Sequence, residues 1–221
     1  MGKLIVIEGL DGSGKGTQSR RLTEYLKSQG KDTLRIDFPR YGTKGATLVE
    51  GYLKGELGGH PDDTGAYATS LFFAMDRYWS YRTDWGEFYH AENNFVICDR
   101  YTTANAVHQC AKLEKEKRDE YLEWLWDVEY EKIGIPKPDK IIFLDMKPSV
   151  VFKLIESRSV KDNREKDIHE LDREYLERCY EGACDACKKL SWVHIKCYEG
   201  ECPRPMDDIF ADILDALEGI I

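Results

Sequence analysis

The sequence predicts an α/β fold, a three-layer doubly wound parallel sheet flanked by helices. Three short, continuous apolar runs, Lys3–Glu8, Asn94–Asp99 and Lys140–Asp145, have the composition of strands that are buried on both faces. Amphipathic helical segments alternate with these runs, which is typical of right-handed crossovers between parallel strands. A glycine-rich turn joins the first run to the first helix. Together these observations predict a single domain over residues 1–221.

The other elements follow from hydrophobic periodicity. Two further strands are expected at Asp32–Asp37 and Ser191–Cys197. Amphipathic helices are expected at Gln18–Lys27, Thr64–Tyr81, Glu116–Glu131 and Asp207–Leu217. Segment Ser157–His169 is charged and almost without apolar residues, so we expect a mobile loop or lid there. Ligands of doubly wound folds bind at the carboxyl ends of the strands, where we expect the functional site.

Composition excludes several classes of function. The chain has 221 residues, and its 41 acidic and 32 basic side chains give a net charge of −9, which disfavours binding to nucleic acid. No run approaches the ~18 apolar residues of a membrane helix, and the start of the chain lacks the pattern of a signal peptide. Seven cysteines, an odd number, indicate reduced thiols. We therefore expect a cytoplasmic protein.

The turn after the first strand fits the phosphate-binding pattern G-x-x-x-x-G-K. Glycines in such a loop let successive backbone N–H groups point at a phosphate, and Lys15 adds a charge at the β- and γ-phosphates. The candidate ATP-binding residues are Gly9, Asp11, Gly12, Ser13, Gly14, Lys15, Gly16 and Thr17. Many such loops carry Ser or Thr after the lysine to hold Mg²⁺, so Gly16 predicts a magnesium ion held by the nucleotide, water and a carboxylate. An N-K-x-D guanine motif is missing, which disfavours a GTPase.

Three more motifs contain an arginine, and two of these arginines, Arg40 and Arg100, closely follow a predicted strand. Phe38-Pro39-Arg40 follows the second predicted strand, and Asp99-Arg100-Tyr101 lies at the end of the predicted strand that begins at Asn94. Phe73 and Arg77 lie four residues apart on one predicted helix and therefore on one face.

These motifs, in this order, resemble thymidylate kinases, which are P-loop nucleoside-monophosphate kinases. The resemblance extends from Lys3 to about Arg178. It implies transfer of the γ-phosphoryl of ATP to dTMP, giving dTDP and ADP, with Mg²⁺, in a homodimer. It also implies roles for the motif residues. Arg40 and Arg100 would bind the acceptor phosphate, Phe73 would stack on thymine, Arg77 would contact its edge, Asp11 would contact the 3′-hydroxyl, and Asp99 would hold Mg²⁺ through water or position Arg100.

The same resemblance places further residues near the substrates. Asn105 and His108 fall near the sugar, in a stretch where better-known members carry Ser, Gly, Gln or Tyr. Gly12 stands where some members supply a catalytic arginine from the phosphate loop. The resemblance therefore implies that Arg158 and Arg164 of the expected lid supply the catalytic cation instead.

Several alternatives remain open at this point. A kinase for another nucleoside monophosphate, or for a deoxynucleoside, is compatible with the same motifs. A regulatory P-loop NTPase is less compatible, because it gives Phe73, Arg77 and Arg100 no role. The pair Cys184-x-x-Cys187 with Cys197 and Cys202 has an imperfect zinc spacing, for which unliganded thiols are the favoured interpretation.

Overall fold

A computed structural model describes residues 1–154 and 172–221. Its central sheet has five parallel strands in the spatial order β2-β3-β1-β4-β5. The strands are β1 Lys3–Glu8, β2 Thr33–Asp37, β3 Phe95–Asp99, β4 Lys140–Asp145 and β5 Val193–Lys196. A short antiparallel hairpin follows, formed by β6 Tyr198–Glu199 and β7 Cys202–Pro203. The predicted α/β class and its five strands are thus confirmed, with strand ends shifted by no more than two residues.

Helices cover the sheet on both faces. They are α1 Lys15–Ser28, α2 Thr47–Leu53, α3 Ala66–Ser80, α4 Gly86–His90, α5 Thr102–His108, α6 Arg118–Trp126, α7 from residue 148 and described as far as 154, α8 Arg173–Lys189 and α9 Met206–Ala216. Two long predicted helices end in wider, π-helical segments. Helix α3 continues as Tyr81–Trp85, and α6 continues as Asp127–Lys132. The short helices α2, α4 and α5 have too few turns to show a clear apolar period.

The two faces of β1 explain why the sheet is covered on both sides. Side chains alternate along a strand, so Ile5 and Ile7 pack into one cluster, with α1, α5, α8 and α9. Leu4 and Val6 pack into a second cluster on the opposite face, together with Trp85 and Tyr101. All four strand residues are fully buried. Truncation of one of them to alanine is expected to cost about 2–5 kcal/mol.

The expected lid and the expected lack of a membrane helix are the two remaining predictions about the fold. The expected lid, with Arg158, Arg164 and His169, falls in residues 155–171, outside the described residues. Within the described ranges, no helix combines the length and the apolar character needed to cross a membrane.

Candidate active site

A cavity of about 490 Å³ opens at the carboxyl ends of β1, β2 and β3. Most of the residues predicted for the site line it together. From the phosphate loop and α1 these are Asp11, Gly12, Gly14, Lys15, Gly16 and Thr17, and from the other motifs Phe38, Pro39, Phe73, Arg77, Asp99, Arg100, Asn105 and His108. The cavity therefore joins the predicted phosphate-binding half to the predicted acceptor half.

The phosphate loop depends on glycines at two positions. Gly14 precedes α1 with a φ of 97°, in the left-handed region that side chains rarely adopt. A Cβ on Gly9 would lie 2.6 Å from Ser13 Oγ and 2.8 Å from the Leu144 carbonyl oxygen, closer than atoms can approach. Together these glycines bring the backbone close to β4 and turn it into the helix, so that the first N–H groups of α1 face the cavity.

Lys15 is held at the base of this loop. Its side chain is buried, its Nζ donates to the Leu10 carbonyl oxygen at 2.8 Å, and the same nitrogen lies 3.9 Å from Asp11 Oδ1. Burial and the nearby Arg100 charge lower the pKa of Lys15, while the Asp11 carboxylate opposes that shift. The amine is therefore fixed against the loop that is predicted to carry the phosphates.

Arg100 connects β3 to the phosphate loop. Its backbone N–H donates to the Ile7 carbonyl oxygen at 3.1 Å, and its φ of 67° is in the left-handed region, which costs a non-glycine residue about 1–3 kcal/mol. The guanidinium donates to Asp11 and lies 2.9 Å from His108 Nε2. Burial opposes its charge, but Asp11 and Glu8 raise the pKa of Arg100. A strained backbone thus directs a permanent positive charge into the cavity.

Asp11 is the counterpart of this charge. Burial favours its neutral form, but the Arg100 and Lys15 charges more than offset burial and hold the pKa of Asp11 well below its usual range. The carboxylate is consequently ionised at any pH at which the protein would be assayed.

Asp99 lies at the end of β3, next to the first turn of α1. Its Oδ2 accepts a hydrogen bond from Arg35 Nη2 at 3.2 Å. A Cβ placed on Gly16 would lie 3.1 Å from the same oxygen, so the missing side chain leaves room for the carboxylate beside the loop. The Arg100 guanidinium is within hydrogen-bond distance of Asp11 and His108, and the Asp99 carboxylate is one of the charges that raise the pKa of Arg100.

Arg77 and Phe73 reach the cavity from α3, as their spacing predicts. Arg77 is almost fully buried and forms a two-pronged ion pair with Glu129, with Nε to Oε2 at 2.6 Å and Nη2 to Oε1 at 2.5 Å. Burial alone would lower the pKa of Arg77, but Glu129 raises it. The ring of Phe73 packs edge-on against Tyr52, with centroids 6.2 Å apart.

Arg40 is not among the residues that line the cavity. Its guanidinium pairs with Asp84 and lies 3.9 Å from Asp37, and its backbone N–H donates to Asp76 Oδ2 at 2.9 Å. The following residue, Tyr41, lines the cavity instead. The Phe-Pro-Arg motif thus lies at the site, and the Arg40 guanidinium is held between Asp84 and Asp37, of which only Asp37 lines the cavity.

Three buried polar residues at or beneath the site were not predicted from the sequence: Glu8, Gln109 and Glu129. Glu8 accepts hydrogen bonds from Thr103 Oγ1 at 2.6 Å and from the Gly9 N–H at 2.9 Å, and burial raises its pKa against the Arg100 and Lys15 charges. Gln109 lines the cavity fully buried, and neither amide atom has a hydrogen-bond partner among the described residues. Its position four residues after Asn105, on the same helical face, was an available signal.

The cysteines give the zinc alternative no support. All seven are free thiols, and across residues 1–154 and 172–221 no three His, Cys, Asp or Glu side chains are grouped closely enough to hold a metal ion. Burial raises the pKa of Cys187 to about 11 and of Cys197 to about 12, so neither is a ready thiolate.

This sheet order, with a phosphate loop after its first strand and a second cationic half facing it, defines a P-loop nucleotide kinase. The family model for thymidylate kinase matches residues 7–199 of the chain. The chain belongs to the thymidylate kinase family, and it is an enzyme of the transferase class.

Individual relatives agree with this assignment. Thymidylate kinase of Mycobacterium tuberculosis is 31% identical over 177 residues, covering 79% of this chain and 81% of the relative. Thymidylate kinase of Danio rerio is 28% identical over 222 residues, covering 100% of this chain and 92% of the relative. A solved thymidylate kinase structure from Candida albicans superimposes with a TM-score of 0.69 at 20% identity, covering 98% of this chain and 91% of that one. At that identity the likeness concerns the fold.

Proposed function

We propose that this protein transfers the γ-phosphoryl group of ATP to dTMP, giving dTDP and ADP. The observation that carries the proposal is the single cavity that joins Lys15 of the phosphate loop to Phe73, Arg77 and Arg100. Donor and acceptor must lie end to end for phosphoryl transfer, and a cavity with two cationic halves suits two phosphorylated substrates.

The acceptor supplies its own nucleophile. The second pKa of a phosphate monoester is about 6, so the dTMP phosphate is ionised near neutral pH and needs no strong general base. The task of the protein is to bring two anions together and to stabilise the transferred phosphoryl group. Lys15 and Arg100 carry the required charge on the described part of the chain, and Asp11 fixes the direction of the Arg100 guanidinium.

Magnesium fits the carboxylate at the end of β3. Mg²⁺ prefers oxygen ligands and commonly keeps several waters, with one or two carboxylates and the substrate phosphates completing its shell. Asp99 offers such a carboxylate beside the phosphate loop, in the space that Gly16 leaves open. When bound, the ion would offset charge on the β- and γ-phosphates.

Recognition of the base rests on Phe73 and Arg77. The Phe73 ring would stack on the pyrimidine, and the Arg77 guanidinium would donate to a ring oxygen. Arg77 can only donate, which favours an oxygen over an amino group at that edge of the base.

We also propose that the enzyme is a cytoplasmic homodimer. Free thiols at all seven cysteines fit a reducing compartment. Helix α3 exposes an apolar stripe with the i, i+4, i+8 spacing of one helical face, and a second copy of the same helix would cover it. Its members are Tyr67, Leu71, Met75 and Tyr78, each between 37% and 41% exposed.

The test is an ADP-release assay with ATP, Mg²⁺ and a panel of acceptors: dTMP, dUMP, dCMP, dGMP, AMP and thymidine. We expect dTMP to have the highest kcat/KM. Preference for thymidine would identify a deoxynucleoside kinase, and ADP release at the same rate without acceptor would identify a regulatory NTPase. Lys15→Ala should lower kcat by orders of magnitude, whereas the control Lys27→Ala, exposed on the same helix, should not.

A further inference from the structure

Glu129 is a buried carboxylate beneath the acceptor half of the cavity, and the proposed reaction gives it no direct role. It lies in the π-helical segment Asp127–Lys132, fully buried, although the acidic residues on either side of it, Asp127 and Glu131, are exposed. π-helical turns are rare and occur frequently at functional sites. A carboxylate in such a place needs an explanation beyond helix formation.

The hydrogen bonds of Glu129 supply that explanation. It accepts from Arg77 Nε and Nη2, from Asn105 Nδ2 at 3.2 Å and from Thr102 Oγ1 at 3.3 Å. Two of these donors, Arg77 and Asn105, line the cavity, whereas Glu129 itself does not. One buried anion therefore orients two side chains that face the substrate.

The consequence for Asn105 is a fixed amide orientation. Its Nδ2 donates to Glu129 Oε1 and to the Ser70 carbonyl oxygen at 3.2 Å, so both amide hydrogens are used. The atom that Asn105 can offer the cavity is the carbonyl oxygen Oδ1, a hydrogen-bond acceptor. Arg77 is held through Nε and Nη2, and its Nη1 also donates to the Tyr101 carbonyl oxygen at 3.4 Å. The second hydrogen of Nη1 is the donor that Arg77 can offer the cavity.

We propose that Glu129 is a positioning residue that fixes this donor–acceptor pair and thereby selects 4-oxopyrimidine monophosphates over 4-aminopyrimidine ones. A 4-oxo base carries an N3–H donor beside an O4 acceptor, which complements Asn105 Oδ1 and Arg77 Nη1. A 4-amino base carries the reversed pattern, an N3 acceptor beside an N4 donor. The inference rests on the proposed function, because it assumes that a pyrimidine monophosphate occupies the cavity.

The decisive variant is Glu129→Gln, which keeps the shape but replaces one accepting oxygen with a donor. That donor opposes Arg77 whichever oxygen it replaces, and at the Oε1 position it opposes Asn105 as well, so the pair loses its fixed pattern. We expect KM for dTMP to rise 10-fold or more with a smaller change in kcat, and the ratio of kcat/KM for dTMP to that for dCMP to fall at least 10-fold. The control is Thr102→Val, which removes a Glu129 partner that does not line the cavity and should leave this ratio unchanged.

Other outcomes separate the possibilities. An equal loss for dTMP and dCMP, or no change in either, would overturn the positioning role. If Glu129→Gln does not fold, Glu129→Asp carries the same test, because its shorter carboxylate keeps the charge but cannot reach both partners. A wild-type enzyme that phosphorylates neither pyrimidine would contradict the proposed function itself, and this result is read before any variant is compared.

Discussion

The guanidinium of Arg100 and the carboxylate of Asp11 form an ion pair across the phosphate loop, although 89 residues separate them in the chain. The pair places a cation of the acceptor half directly beside the donor loop. It also keeps both partners charged, because the Arg100 charge lowers the pKa of Asp11 and the Asp11 charge raises the pKa of Arg100.

Asp11→Asn should therefore change stability in a pH-dependent way. A carboxyl whose folded-state pKa is depressed adds stability above its unfolded pKa of about 4 and loses it as the pH falls toward the folded value. We expect the wild-type protein to melt above the variant at pH 7, and the difference in Tm to narrow between about pH 5 and pH 3.5. Calorimetry over that range measures it, and a constant difference would show that Asp11 is not held in its ionised form.

Replacing Arg77 should lower the free energy of unfolding, because the buried Glu129 carboxylate then has no positively charged partner. Arg77→Met leaves Glu129 without its ionic partner, which we expect to cost about 3–5 kcal/mol in the free energy of unfolding. Arg77→Met combined with Glu129→Gln removes both charges and should recover most of that loss, yet it should not restore dTMP binding. Denaturant unfolding and equilibrium binding of dTMP separate the two effects. Recovery of dTMP affinity in the double variant would mean that Arg77 does not read the base.

Gln109→Met should raise stability and weaken acceptor binding at once. Gln109 buries an amide without a partner among the described residues, and such a group costs about 1–3 kcal/mol. A length-matched apolar side chain removes that cost, so we expect Tm to rise by several degrees while KM for dTMP increases. The control Gln29→Met, on an exposed residue after α1, should change neither quantity. A lower Tm with unchanged KM would indicate that Gln109 serves only the fold.

Lys112 should make the free energy of unfolding increase as the pH rises above about 8. Its Nζ donates to Thr64 O at 2.9 Å, to Tyr52 Oη at 3.0 Å and to Thr69 Oγ1 at 3.2 Å, and burial lowers its pKa to about 8. Between pH 8 and about 10.5 the unfolded chain binds a proton that the folded chain has lost, so unfolding becomes less favourable as the pH rises. We expect the wild-type protein to gain stability relative to Lys112→Met across this interval. A difference that stays flat would contradict the lowered pKa.

The apolar stripe of α3 should control the oligomeric state. Leu71→Glu and Met75→Glu each place a charge at the centre of the stripe, and we expect either to shift the protein from dimer to monomer in light scattering after gel filtration. Leu57→Glu, on a leucine that is 49% exposed elsewhere, should leave the dimer intact. A wild-type mass equal to one chain would contradict the dimer.

The sequence was sufficient for the sheet and insufficient for several polar contacts. Continuous apolar runs located β1, β3 and β4, because a strand that is buried on both faces must be apolar at nearly every position. Glu129 could not be assigned in this way, because it stands among exposed charges and its burial depends on a wide turn that a 3.6-residue period does not anticipate. The position of Arg40 just after β2 follows from the sequence, but the direction of its guanidinium depends on Asp84, which is 44 residues away.

The pairing of β1 with β3 has a consequence for the order of events when the enzyme folds. Ile7 lies opposite Asp99 in the sheet, and Arg100 reaches Asp11 only once that long-range register exists. A nascent chain that ends at residue 92 already contains the whole phosphate loop but lacks β3 and the Arg100 guanidinium that follows it. During refolding, catalytic activity should therefore return only after β1 has paired with β3. The rate at which activity returns would then measure this long-range strand pairing and not the faster formation of local helices.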